Sequence, residues 1–260
     1  AAVACRQVGL YRQASDYLQT GLAIARRIGD TRDQALLLLS QAELLLDQEQ
    51  TGEAVSRLME ALPLAQSSGA ITRVILAHRI LGQAFHQLGR LEDTRKHLET
   101  ALSLCQETHH HRFEHALLLD LAHVAVSQRE EERCLHLIQQ VKETAGTEPS
   151  APIVREILRV RGRLALSRQQ WSCAIESLES SLVSSEVEPV SSEANARWLL
   201  AQAYAGRSQG DDHARACEQL NAARIAFQRI GAASRLSEPA GLPRRLASDF
   251  AVANPVQTCE

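Results

Sequence analysis

Three arginines, Arg155, Arg159 and Arg163, recur every four residues in a stretch of helix-forming residues. On an α-helix that spacing stacks them on one face. Guanidinium forks arranged this way can clamp a carboxylate or a phosphate. Glu156 is the only acid among them, with Arg161 and Arg168 close by. Asn195, Trp198 and Gln202 present a similar ridge further on, where Trp198 would be a natural anchor for a partner. The run Thr108–His115 places His111 and His115 four apart, a spacing a helix-borne metal site would need, with Glu107 and Glu114 nearby. It falls between periodic helical segments and reads as a solvated turn. No metal and no cofactor are expected.

Other chemistry is absent at the level of motif. There is no G-x-x-x-x-G-K-[ST] phosphate loop, no G-x-S-x-G and no H-E-x-x-H. Glu130, Glu131 and Glu132 sit at a turn and read as a solvated charge run. The segment is therefore not expected to be an enzyme. A net charge of −3 gives no global pull toward nucleic acid or an anionic membrane. The longest apolar run, Leu36–Leu39, is far short of the roughly 20 residues that span a bilayer. Six scattered cysteines without a C-x-x-C pair read as small buried hydrophobes of a reducing, cytoplasmic compartment. The chain opens without Met, inside a helical pattern, and reads as a piece of a longer protein.

The elements that must position these residues are set by an internal repeat. Thr94, Leu98 and Ala101 form a small–large–small stripe. Steps of 40 lead to Ala54, Leu58 and Ala61, to Ala14, Leu18 and Gly21, to Cys134, Ile138 and Val141, and to Ala174, Leu178 and Ser181. A step of 42 leads to Ala216, Leu220 and Ala223. A second column, Ala42, Gly82, Ala122 and Gly162, keeps side chains small where two helices approach. Breakers recur at Gly29, Gly69, His109, Pro149, Pro189 and Gly231. The extra two residues of the last unit fit the Gly- and Asp-rich turn 206–212.

Leu81-Gly82 with Phe85, then Thr94, Leu98 and Ala101, resemble the tetratricopeptide repeat (TPR) family, and Leu200-Ala201 with Tyr204 resemble it again. The interval from Gly82 to Thr94 is that of the family, whereas the period of 40 exceeds the family's 34. HEAT or armadillo arrays also have periods near 40, but lack the Leu-Gly-x-x-Phe helix end. The resemblance implies an all-α, right-handed α-solenoid of antiparallel helical hairpins. Its units would be about 1–29 (truncated), 30–69, 70–109, 110–149, 150–189 and 190–231, with 232–260 a C-terminal cap or linker. It also implies that the first helix of each unit lines a concave groove. Column matching then gathers Arg79, Gln83, His86, His123, Arg159, Arg163, Asn195, Trp198 and Gln202 in that groove.

Within the units, Asp30 or Thr31 can cap a helix, Ser191 or Ser192 another, and Pro63 should bend a third. Trp171 matches Tyr11 and Leu91 in the turn column and reads as structural. The phrases 159–166 and 223–232 look like the TPR regions of large bacterial signalling proteins and transcriptional regulators. That resemblance implies a regulatory scaffold whose groove binds a peptide or a partner domain, including other domains of the same full-length chain, with oligomerisation possible. A small-ligand sensor and a passive spacer are the alternatives.

Overall fold

Each unit folds as two antiparallel helices because two apolar stripes of helical period pack on one another across a short turn, three residues long in the first five pairs and four in the last. The structure is a computed structural model and describes residues 1–146, 148–183 and 189–232. Six pairs of helices follow one another: α1 (Ala2–Gln7) with α2 (Tyr11–Ile28), α3 (Thr31–Asp47) with α4 (Thr51–Ser67), α5 (Ile71–Gln87) with α6 (Leu91–Glu107), α7 (Glu114–Ser127) with α8 (Glu131–Ala145), α9 (Ala151–Ser167) with α10 (Trp171–Leu182), and α11 (Val190–Arg207) with α12 (Asp212–Ile230). Among the described residues there is no strand. The all-α solenoid expected from the repeat is what the chain forms.

The period is written into the backbone. Gly9, Glu49, Gly89, Arg129 and Gln169, each 40 residues apart, all take positive φ, between 58° and 82°. Each sits in the turn inside a pair. Three of the five are not glycine, so the hairpin geometry is imposed by packing of the helices rather than by the turn residue's own preference. The small column behaves as expected. A Cβ on Gly82 would lie 2.7 Å from Cγ and Cδ2 of Leu98, and one on Gly162 would lie 2.6 Å from Cγ of Leu178. Trp171 lies against the backbone of Gly206, where a Cβ would come within 2.6 Å of its ring.

Some local expectations change. Asp30 caps α3 through Asp33 N–H at 2.9 Å. Neither Ser191 nor Ser192 caps α11, which instead starts behind Pro189 with no side-chain cap. Pro63 lies inside α4, and the helix continues past it to Ser67. His111 belongs to a short 3-10 turn, His111–Phe113, so it does not share an α-helical face with His115; its Nδ1 lies 3.1 Å from Glu114 Oε2. Cys105 and Cys134 are buried, whereas Cys173 is exposed.

The two ends of the array meet. One apolar cluster joins Tyr11, Leu18 and Leu44 to Trp198, Phe227 and Ile230. Gln48 Nε2 donates to the carbonyl of Ile230 at 3.1 Å, and Arg229 Nη2 to that of Val8 at 3.2 Å. The last pair therefore packs on the first, and the solenoid closes into a ring. Ala232, at 1% exposure, ends that cluster. The segment read from sequence as a cap or linker lies, after Ala232, outside the described residues.

Candidate binding interior

The first helix of each pair packs on the first helix of the next: α3 on α5, α5 on α7, α7 on α9, and α9 on α11. These helices form the inner wall of the ring. Their inward column, read off the chain, is Glu43, Gln83, His123 and Arg163, polar at every step. Polar groups on the inner side of neighbouring helices can meet only one another or a ligand, and here they meet one another.

Arg6 Nη1 lies 2.6 Å from Glu43 Oε2 and its Nε 2.6 Å from Asp47 Oδ2, while Tyr11 donates its hydroxyl to the same Asp47 oxygen at 3.0 Å. Arg79 Nε donates to Asp120 Oδ2 at 2.6 Å, and Gln83 Nε2 reaches that oxygen at 3.2 Å. His86 Nε2 meets Ser127 Oγ at 3.0 Å. Arg163 Nη1 lies 2.8 Å from His123 Nδ1. A guanidinium can only donate, so Nδ1 of His123 accepts and its Nε2 carries the proton. That Nε2 then donates to Glu156 Oε1 at 2.6 Å. Glu156 also takes Arg159 Nη1 at 3.2 Å. Most of these contacts step from one repeat to the next, with separations of 33 to 41 residues, and they form a ladder across the inner wall.

The ladder sets the protonation states. Burial would raise the Glu156 carboxyl, but the hydrogen bond from His123 and the charge and hydrogen bond of Arg159 overcome it and hold the group at about 2. Burial, reinforced by the charge of Arg163, depresses His86 to about 4. Arg79 is raised despite its burial, because Asp120 outweighs the desolvation. Burial, with the charge of and hydrogen bond to Asp47, pushes the Tyr11 hydroxyl well above its ordinary value. At neutral pH the wall holds fixed arginine–carboxylate pairs and a neutral His86.

Two cavities open on this wall. One of about 230 Å³ is lined by Gln83, His86, His123 and Arg163 with Arg6 and Asp120 among the other residues. The second, of about 330 Å³, is lined by Arg6, Asp47, Arg79 and Gln83 from the early repeats together with Ser192 and Asn195 from α11. Closure of the ring is what brings Arg79 and Asn195, remote in sequence, to one cavity.

Six of the nine residues expected in the groove thus share the inner wall: Arg79, Gln83, His86, His123, Arg163 and Asn195. Three do not fit that expectation. Trp198 is 5% exposed and packs edge-on to Phe227, with ring centres 6.4 Å apart, so it closes the ring rather than anchoring a ligand. Arg159 is 9% exposed, bonded to Glu156, and lines neither cavity. Gln202 is half-buried, engaged within the chain, and lines neither cavity. Arg6, Arg79 and Arg159 do not stand ready for an outside anion, because Asp47, Asp120 and Glu156 take that part. Sequence reasoning missed Arg6, Glu43, Asp47 and Asp120. The signal was present: Arg6 and Asp47 are 41 apart, as are Arg79 and Asp120, so opposite charges one repeat apart mark neighbouring inner columns.

The class of fold is corroborated by similarity to solved structures. BtubC (BKLC) from P. vanneervenii aligns with a TM-score of 0.57 at 17% identity, over 86% of this chain and 92% of that one. A Rap protein, solved in complex with Competence and Sporulation Factor, aligns with a TM-score of 0.63 at 15% identity, over 96% of this chain and 63% of that one. Those neighbours place the chain among helical TPR-like repeat folds. No protein-family model matches the sequence, and no curated protein matches it either.

Proposed function

We propose that this chain is a non-catalytic binding scaffold that takes an extended peptide or a partner's segment against its inner wall, and that it serves as the regulatory module of a larger signalling protein. The observation that supports this reading most is the cavity shared by Arg79, Gln83 and Asn195, where α5 and α11 face one another. A space of about 330 Å³ suits a few side chains rather than a folded domain. Its lining offers donors and acceptors for a backbone, from Gln83, Ser192 and Asn195. An acidic ligand group would compete with Asp120 for Arg79, so binding would exchange one ion pair for another and alter the contact between the third and fourth hairpins. A wall with two such arrangements could pass that change to a neighbouring domain. The Rap neighbour, solved in complex with Competence and Sporulation Factor, supports the use of a helical repeat scaffold of this kind for binding. The small size of both cavities also favours a second reading, in which an effector the size of an amino acid binds in the same place.

Selection of peptides from a displayed random library against the whole chain tests the proposal. Enriched peptides should lose at least tenfold in affinity for the Arg79→Ala, Gln83→Ala, Asn195→Ala triple variant. Peptides that bind the variant as tightly as the parent would refute the placement. A metabolite panel run in parallel addresses the effector reading.

A further inference from the structure

The repeat shows which surface of the first pair departs from the others. α2 buries one face in the core through Ala14, Leu18, Leu22 and Ala25. It turns Ser15, Gln19 and Arg26 to the groove it shares with α4. The face about half a turn from that groove is the edge of the array. It carries Leu10, at the N-cap, with Tyr17, Ile24 and Ile28, which are 46%, 54%, 47% and 66% exposed. Leu10, Tyr17 and Ile24 follow at intervals of seven, and Ile28 comes four later, so the four form one ridge along the helix. In the other pairs these positions are mostly polar. Leu10 is matched by Gln50, Arg90 and Glu130, Tyr17 by Arg57, His97 and Ser177, and Ile28 by Ser68 and Thr108. The apolar counterparts are covered: Leu137, in the column of Tyr17, is buried, and Leu64 and Leu104, in that of Ile24, pack within the array. A terminal repeat that faces water has a polar outer side. A ridge of four exposed apolar side chains at the edge therefore marks a surface of contact.

The ridge and its flank are complementary to themselves. Consider two copies of α2 set antiparallel about a two-fold axis between Thr20 and Gly21. Tyr17 and Ile24 are equally far from that centre, so each Tyr17 lies opposite Ile24 of the partner subunit. Leu10 then falls about one turn from Ile28 of the partner subunit. Every member of the ridge meets an apolar side chain, and the small Thr20 and Gly21 stand where the helices come nearest. The solvent-side flank of the ridge carries Asp16 and Arg27, which lie within about 20° of one another around the helix. The same arrangement brings each Asp16 beside Arg27 of the partner subunit, making two ion pairs. Both side chains are exposed. Among the described residues neither belongs to an ion pair, whereas Arg26, on the side toward α4, takes Glu60 at 2.6 Å.

We infer that this ridge is a homodimer interface, in which two copies of the chain pack α2 on α2 antiparallel, with Tyr17 against Ile24 at the centre and Asp16 against Arg27 at the rim. One helix pair covers less than the roughly 1,200 Å² of a stable complex, so the dimer is a weak one, with a Kd of about 10–100 µM. The ridge shares no residue with the lining of either inner cavity. Dimerisation is therefore independent of the function proposed for the inner wall.

Sedimentation equilibrium of the full chain, from about 1 µM to about 300 µM, tests the interface. The mean mass should rise with concentration from that of one chain toward that of two. Ile24→Glu sets a carboxylate against Tyr17 of the partner subunit in both halves and should abolish the dimer, with the helical circular dichroism unchanged. Tyr17→Arg should do the same from the other side of the contact. Asp16→Arg and Arg27→Asp should each weaken the dimer about tenfold, because each turns two attractions into repulsions, and the two together should restore it to within about threefold of the parent. Should Ile24→Glu or Tyr17→Arg disturb the fold, the charge reversals, at exposed positions, decide the question by themselves. A chain that stays monomeric throughout, a dimer untouched by Ile24→Glu and Tyr17→Arg, or a double reversal no better than the single ones would each overturn the assignment.

Discussion

The ion pair between Arg79 and Asp120 offers the sharpest test of how the inner wall is held. Both side chains are largely covered, at 26% and 17% exposure, and their atoms meet at 2.6 Å. Asp120 also accepts from Gln83. Removing one member of a fully buried pair costs about 3–5 kcal/mol, because the other charge is left unpaired. Residual exposure and the fields of Glu43 and Glu156, which also favour charged Arg79, lower that figure. We expect Asp120→Ala to cost about 3 kcal/mol and Arg79→Ala about 2 kcal/mol. Removing both charges also removes the desolvation that opposed them. The Arg79→Leu, Asp120→Leu double variant should therefore cost about 2–3 kcal/mol rather than the sum, a coupling of about 2 kcal/mol. Urea unfolding followed by circular dichroism at pH 7 measures all three variants, with Arg79→Leu and Asp120→Leu completing the cycle. Costs that add to within about 0.5 kcal/mol would show that the two charges do not act on one another, and the ladder as a stabilising device would be wrong.

The histidine at the centre of the wall gives the pH dependence. His86 is held at about 4 against an ordinary 6.5, so the unfolded chain takes up a proton that the folded chain refuses. Stability should be full above pH 6.5 and fall as the pH drops toward 4, by about 1–2 kcal/mol once partial exposure is allowed for. His78 and His97, also depressed by burial, add to the same slope. Glu156, held at about 2 against 4.5, adds nothing above about pH 5; its contribution starts to be lost as the pH falls through 4.5 and is lost progressively down to about 2. His86→Gln should flatten the slope between pH 7 and 5 in urea titrations; an unchanged slope would mean that His86 is not the group responsible. Trp198→Ala should cost about 3–5 kcal/mol and release the seam. Hydrogen exchange should then quicken in Tyr11–Leu18 and in α12 but not in α7 and α8, and uniform quickening would argue against a discrete closure. Gln169→Gly relieves a positive φ at an exposed turn and should stabilise the chain by about 0.5–1 kcal/mol; a loss of melting temperature would show that the side chain has a role of its own.

The hairpins were legible in the residues alone because a helix announces itself locally. Thr94, Leu98 and Ala101 and their counterparts mark one stripe, Gly82 and Gly162 mark the close approach, and a period of 40 fixes which helix follows which. The inner columns were legible for the same reason: once the repeat is aligned, Gln83, His123 and Arg163 must share a face. Three things came only with the tertiary structure. Whether an arginine is available or occupied depends on which acid the fold sets beside it, Asp120 of the next repeat for Arg79 and Glu156 of the same helix for Arg159. The burial of Trp198 and the meeting of Asn195 and Arg79 at one cavity depend on where the sixth hairpin ends up relative to the first. That placement accumulates from a small rotation at each repeat interface, and no single interval along the chain records it. The sequence by itself therefore determined the unit and its inward face, while the sum of the rotations decided that the ends meet, which residues seal the seam and which remain to line a cavity.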